Sequence, residues 1–108
     1  MVRQILPAEL AERINAGERI YLLDVRHEWE HGIAALPGSV LIPLPELPSR
    51  LDEIDAEPGA AVVVYCHHGI RSLSGASILE QAGFTDVASL RGGIDLWSSV
   101  VDPTVPKY

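Results

Sequence analysis

Apolar residues in this chain fall into short blocks of two kinds, separated by polar or Gly- and Pro-bearing stretches. The most uniform block is AVVVY at residues 61–65. A continuous run, rather than an alternating one, marks a strand covered on both faces, as in a parallel sheet. IYLLDV at residues 20–25 reads the same way, and residues 2–6, 40–42 and 87–90 predict shorter strands. Helical spacing fills the gaps. Pro7 suits a first turn, Leu10 and Ile14 share one face of residues 8–15, and Gly17 suits the stop. One turn is predicted at residues 28–31 and a short helix at 47–54. Fuller helices are predicted at 72–82, closed by Gly83, and at 93–100. The alternation predicts an α/β domain: a mainly parallel sheet of about five strands flanked by helices on both faces.

Composition narrows the setting. The 108 residues, 47% of them apolar, fit one domain whose core needs no disulfide or structural metal. A lone cysteine excludes an internal disulfide and a four-cysteine zinc site. Pro is concentrated at residues 37–48, read as an irregular connection, and at 103–106, so that residues 102–108 read as a tail. The net charge is −7, and Lys107 is the one lysine among eight basic residues. Such a surface repels phosphate backbones and disfavours nucleic acid as a partner. Arg3 and Glu9 interrupt the start, leaving no apolar stretch of the kind a secretory signal needs. No run approaches the roughly 18 residues of a membrane span. The expected location is the cytoplasm, away from membranes.

The candidate chemistry lies at Cys66. It directly follows the strongest strand and precedes HHGIRS, which leads into a helix. In an open α/β sheet, ligands sit beyond the carboxyl ends of the strands. Unpaired N–H groups at the helix start attract an anion there. Gly69 lets the loop curl so that successive amides face inward, and Arg71 adds a permanent positive charge. Together these favour the thiolate, the reactive form. A thiolate in a ring of amides serves sulfur transfer or phosphoryl transfer, and ring size separates the two. A persulfide adds one sulfur at ~2 Å, whereas a tetrahedral oxyanion needs a wider cradle, and one more residue adds about 3.5 Å of contour. Cys66 to Arg71 is C-x-x-x-x-R, the short form.

Four segments, in this order, carry a resemblance across nearly the whole chain. They are Asp24-Val25-Arg26; Pro37-Gly38-Ser39 with Ile42-Pro43-Leu44; Cys66-His67-His68-Gly69-Ile70-Arg71-Ser72; and Leu90-Arg91-Gly92-Gly93-Ile94 with Trp97. The chain resembles the rhodanese family of sulfurtransferases in its single-domain form. The resemblance implies that Cys66 is catalytic and that His67, His68, Gly69, Ile70 and Arg71 form the loop around substrate and persulfide. Phosphatase and arsenate-reductase relatives have a loop one residue longer. The closing Asp102-Pro103, Pro106 and Tyr108 are similar to tails of rhodanese domains fused to sulfur-carrier-activating enzymes. One departure is Ala35, which stands where the family often has histidine.

The implied reaction is a double displacement. Cys66 takes sulfur from a donor such as thiosulfate or a persulfide, and a thiophilic acceptor (cyanide, a thiol or a sulfur-carrier protein) removes it. No cofactor is implied. The alternatives are a non-catalytic interaction module, which an intact Cys66 and Arg71 disfavour, and a small phosphatase or arsenate reductase, which loop length disfavours.

Plainer readings stand beside these. Cys66 could be a small buried hydrophobe. Arg71 could be solvated, although a cation at a helix start calls for an answering anion. His67 and His68 could bind metal, but adjacent residues seldom reach one ion, so no metal site is expected. Asp24 and Arg26 could form a surface ion pair of little worth; the resemblance implies instead that they buttress the loop. Arg91 could meet an anionic donor or lie in solvent. Gly92 and Gly93 suit a tight turn, and Trp29 and Trp97 read as packing residues.

Overall fold

A computed structural model describes residues 2–57 and 59–108. Five strands, β1 (Arg3–Ile5), β2 (Ile20–Asp24), β3 (Val40–Leu41), β4 (Ala61–Tyr65) and β5 (Val87–Leu90), form one sheet in the order β1-β5-β4-β2-β3. Every pairing is parallel. All five residues of the central strand β4 are buried, which is why its sequence is continuously apolar. Four helices connect the strands: α1 (Pro7–Asn15), α2 (Glu28–Ile33), α3 (Arg71–Gln81) and α4 (Gly93–Val100).

Side-chain alternation along the strands divides the core. Leu22, Val63 and Tyr65 join Leu10 of α1 and Ile94 and Trp97 of α4 on one face. Leu23, Val62, Val64 and Cys66 join Ala76 and Leu79 of α3 on the other. Helices therefore cover both faces, as the sequence predicts.

The region of residues 44–53 differs in kind. The short helix predicted at 47–54 is instead two 3-10 turns, Leu44–Ser49 and Leu51–Glu53. Pro45 and Pro48 withhold two amide donors and so prevent an α-helical ladder. Leu47 still reaches the core and is fully buried. The Pro37-Gly38-Ser39 turn is fastened to the sheet through the buried Tyr65 phenol, which accepts from the Leu36 N–H at 3.2 Å and lies 2.9 Å from Ser39 Oγ. Burial pushes the Tyr65 phenol up from its ordinary pKa.

The topology creates a cleft. After β2 the chain moves outward to β3, while after β4 it crosses to β5 on the other side. The segments following β2 and β4 thus diverge from neighbouring strand ends, where Asp24 and Tyr65 are register partners. Such a switch point is where open α/β sheets hold ligands.

Candidate active site

Cys66 leaves the end of β4 with only 2% of its surface exposed. Its sulfur accepts the backbone N–H of Gly69 at 3.1 Å and that of Ser72 at 3.3 Å. The Ser72 hydroxyl lies 3.4 Å from the sulfur and 2.7 Å from the hydroxyl of buried Ser89 on β5. Gly69 has φ +94°, and a Cβ there would stand 2.8 Å from the Gly92 nitrogen. Only glycine both turns this corner and fits beneath the neighbouring chain.

The outer side of the turn is held by α4. The Ile94 N–H donates to the Cys66 carbonyl at 2.9 Å and the Asp95 N–H to the His67 carbonyl at 3.1 Å. These bonds draw two carbonyls outward, away from the amides that face the sulfur. Gly93, at φ +61°, makes the approach possible, since a Cβ there would lie 2.4 Å from both carbonyl oxygens. The Gly92-Gly93 pair thus does more than allow a tight turn: it seats a helix N-terminus against the cysteine loop.

Arg71 opens α3, and its answering anion is Glu30 of α2. Two parallel bonds of 2.7 and 2.9 Å join the guanidinium to the carboxylate. Glu30 is buried and also accepts from the His27 N–H at 3.1 Å and the Tyr108 hydroxyl at 2.8 Å. The Arg71 bonds, opposed by burial, bring the Glu30 carboxyl down to about 2. Tyr108 in turn accepts from Arg26 at 2.7 Å. Burial pushes the Tyr108 phenol up to about 12, so it stays a neutral donor to Glu30.

Asp24 and Arg26 are fully buried and form a two-pronged pair at 2.7 and 2.9 Å. The surface-pair reading is therefore corrected: a charge pair with no water must be satisfied internally. Arg26 also donates to the Ala34 carbonyl at 2.6 Å, and His31 Nδ1 sits 2.8 Å from Asp24. Through Tyr108 and Glu30 this buried pair is connected to Arg71.

The two loop histidines line the opening. His67 is half-buried and His68 exposed, with ring centroids 3.9 Å apart, and the Tyr108 ring stacks on His67 at 4.0 Å. Burial, followed by the neighbouring His68, lowers the His67 pKa. Ligand atoms of His67, His68 and Asp95 lie within 4.8 Å of one another, and Lys107 already pairs with Asp95 at 3.2 Å. Ile70 is 75% exposed at the loop tip. Arg91 is exposed beyond β5, and its backbone N–H binds the Ile5 carbonyl. Trp97 packs in the core as expected, but Trp29 does not: it is 62% exposed, edge-on to Tyr108 at 6.1 Å.

Glu30, Ser72, Ser89 and Tyr108 join the site without having been predicted in it. Residues 102–108 lack regular structure, as a tail would, yet they pack on the domain. Val105 is buried, its carbonyl accepts the Ser98 hydroxyl at 2.7 Å, and Tyr108 reaches the cleft.

Fold and site together define a parallel α/β domain that holds one thiol in a six-residue amide loop at its topological switch point. Residues 6–100 match the Rhodanese-like domain, and the chain belongs to that family. It is 34% identical over 98 residues to a sulfurtransferase of Allochromatium vinosum, covering 91% of this chain and 90% of that protein. It is 32% identical over 104 residues to the probable adenylyltransferase/sulfurtransferase MoeZ of Mycobacterium tuberculosis. There it covers 96% of this chain but spans only 26% of that relative's length. A crystal structure of a rhodanese-related protein from Thermoplasma volcanium superposes with a TM-score of 0.81. That match has 31% identity and covers 98% of this chain and 99% of that one.

Proposed function

We propose that this protein is a sulfurtransferase that carries a sulfane sulfur on Cys66 as a persulfide. The observation that carries this reading is the pair of N–H donors, from Gly69 and Ser72, aimed at a single buried sulfur within the short Cys66–Arg71 ring.

The Gly69 and Ser72 amides and the adjoining α3 N-terminus are placed to stabilise negative charge carried on sulfur during transfer. With thiosulfate, the Cys66 thiolate attacks the outer sulfur. The new S–S bond forms as the old one breaks, and sulfite leaves with that bond's electron pair. The terminal sulfur of Cys66–S–S⁻ then lies among the inward amides, as an oxyanion lies among preorganised donors. A thiophilic acceptor attacks that sulfur and releases the Cys66 thiolate. Cyanide serves in an assay, and a thiol or sulfur-carrier protein serves as a biological acceptor. Neither half-reaction needs a metal or organic cofactor. His67, His68 and Ile70 shape the entrance, and Asp24, Arg26 and Arg71 support the loop. The chemistry needs a reduced thiol and suits the cytoplasm. Among the described residues, no helix is long and apolar enough to cross a membrane.

Initial rates with donor and cyanide both varied test the scheme. Parallel double-reciprocal lines, with turnover abolished in Cys66→Ser, are expected. Intersecting lines, or activity surviving that substitution, would contradict it.

A further inference from the structure

Three ion pairs surround the loop. Arg71 is held by Glu30 at 2.7 Å, Arg26 by Asp24 at 2.7 Å and Lys107 by Asp95 at 3.2 Å. Arg71 is the loop's own cation, and its partner Glu30 is no mobile surface carboxylate. Glu30, on α2, is 3% exposed and besides Arg71 is fixed by two further donors, the His27 N–H and the Tyr108 hydroxyl. The entrance adds two imidazoles, of which half-buried His67 is disfavoured as a cation by burial and by His68. A donor reaching Cys66 therefore meets a loop whose own cation is already committed, within a protein of net charge −7, and exposed Arg91 beyond β5 stands outside these pairs.

That commitment discriminates between donor classes. Thiosulfate brings two negative charges toward a thiolate, and in a poorly hydrated cleft this repulsion needs an uncommitted cation. A protonated thiol persulfide, R–S–SH, brings none at the reacting atoms. We infer that Glu30 is a specificity-determining residue which, by neutralising Arg71, suits the site to low-charge thiol persulfides over thiosulfate. The inference rests on the sulfur-carrier role of Cys66. In the step it favours, the Cys66 thiolate attacks the terminal sulfur of R–S–SH. The donor's S–S bond breaks, RS⁻ departs with that bond's electron pair and takes up the persulfide proton, leaving Cys66–S–S⁻ and RSH.

The experiment measures kcat/KM for thiosulfate and for cysteine persulfide, whose ammonium and carboxylate offset each other, in wild type and Glu30→Gln. The substitution keeps the side-chain shape and removes the charge. Wild type is expected to favour cysteine persulfide. Glu30→Gln should raise the thiosulfate-to-persulfide ratio roughly tenfold, the scale of one charge freed at short range. A ratio unchanged or lowered in a folded variant, or a wild type that favours thiosulfate, would overturn the donor assignment and leave the Cys66 carrier intact. Failure of both donors to load Cys66 would instead overturn the carrier reading and this inference with it. If Glu30→Gln does not fold, salt decides on the wild type. Raising ionic strength from about 0.01 to about 0.15 M should leave the thiosulfate kcat/KM unchanged or higher, because screening relieves repulsion. A severalfold fall would mark a cationic entrance and overturn the inference.

Discussion

The Ile94 amide donates to the Cys66 carbonyl at 2.9 Å, so the last helix holds the cysteine turn from outside. Gly93 is the residue that permits this approach. Gly93→Ala would place a methyl 2.4 Å from two carbonyl oxygens at φ +61°, and α4 must move away. The expected outcome is a loss of about 1–3 kcal/mol, the scale of a strained backbone position. Thiol alkylation should slow as the loop loses its outer clamp. Chemical denaturation and iodoacetamide kinetics measure the two effects.

Arg71→Ala leaves the Glu30 carboxylate buried without its main partner. Breaking a buried pair costs about 3–5 kcal/mol, and the one-third exposure of Arg71 reduces this to about 2–3 kcal/mol. Adding Glu30→Gln to Arg71→Ala should restore part of the loss, because the unpaired charge is then gone. A double variant no more stable than Arg71→Ala in urea unfolding would show that the pair is not what stabilises this end of the cleft.

Much of this arrangement is legible in the sequence because its cause is local. AVVVY reads as a central strand because both of its faces are covered, and Cys66 is placed by following it directly. The bounds of β4, β5 and α4 match residues 61–65, 87–90 and 93–100. Glu30 and Tyr108 were not legible as site residues. Their decisive contacts span 41 residues to Arg71 and 78 residues between Tyr108 and Glu30, and no short-range pattern encodes them. A partial signal existed for Glu30, three positions after His27, where a helix-start carboxylate accepts the preceding N–H. The buried state of Asp24 and Arg26 was hidden for a related reason. Charged residues at a strand end look like surface residues until the segments that cover them, residues 30–34 and Tyr108, are placed.

Ser72 contributes to the sulfur cradle in two ways that one substitution separates. Ser72→Ala keeps the backbone N–H at 3.3 Å but removes the hydroxyl between Cys66 and Ser89. Leaving the buried Ser89 hydroxyl short of a partner should cost about 1 kcal/mol. Thiol reactivity should fall severalfold at most, since the two amide donors remain. An abolished reaction in a folded Ser72→Ala protein would assign the hydroxyl a larger part than the geometry gives it.

Glu30 also makes a specific contribution to acid stability. Its folded value of about 2 lies below the ordinary 4.5, so the unfolded chain takes up a proton more readily than the folded one. The contribution is full above the unfolded value and drains as pH falls through the folded one, between about pH 5 and about pH 2. Wild type should lose stability across this window more steeply than Glu30→Gln. Urea midpoints at a series of pH values check the sign, and parallel curves would contradict it.

The central claim concerns one atom gained by one sulfur. The protein is incubated with thiosulfate and, separately, with cysteine persulfide, and its intact mass is measured under non-reducing conditions. A gain of one sulfur atom from at least one donor is predicted. That gain should be reversed by cyanide and absent in Cys66→Ser. No gain from either donor, or the same gain in Cys66→Ser, would contradict Cys66 as the sulfur carrier.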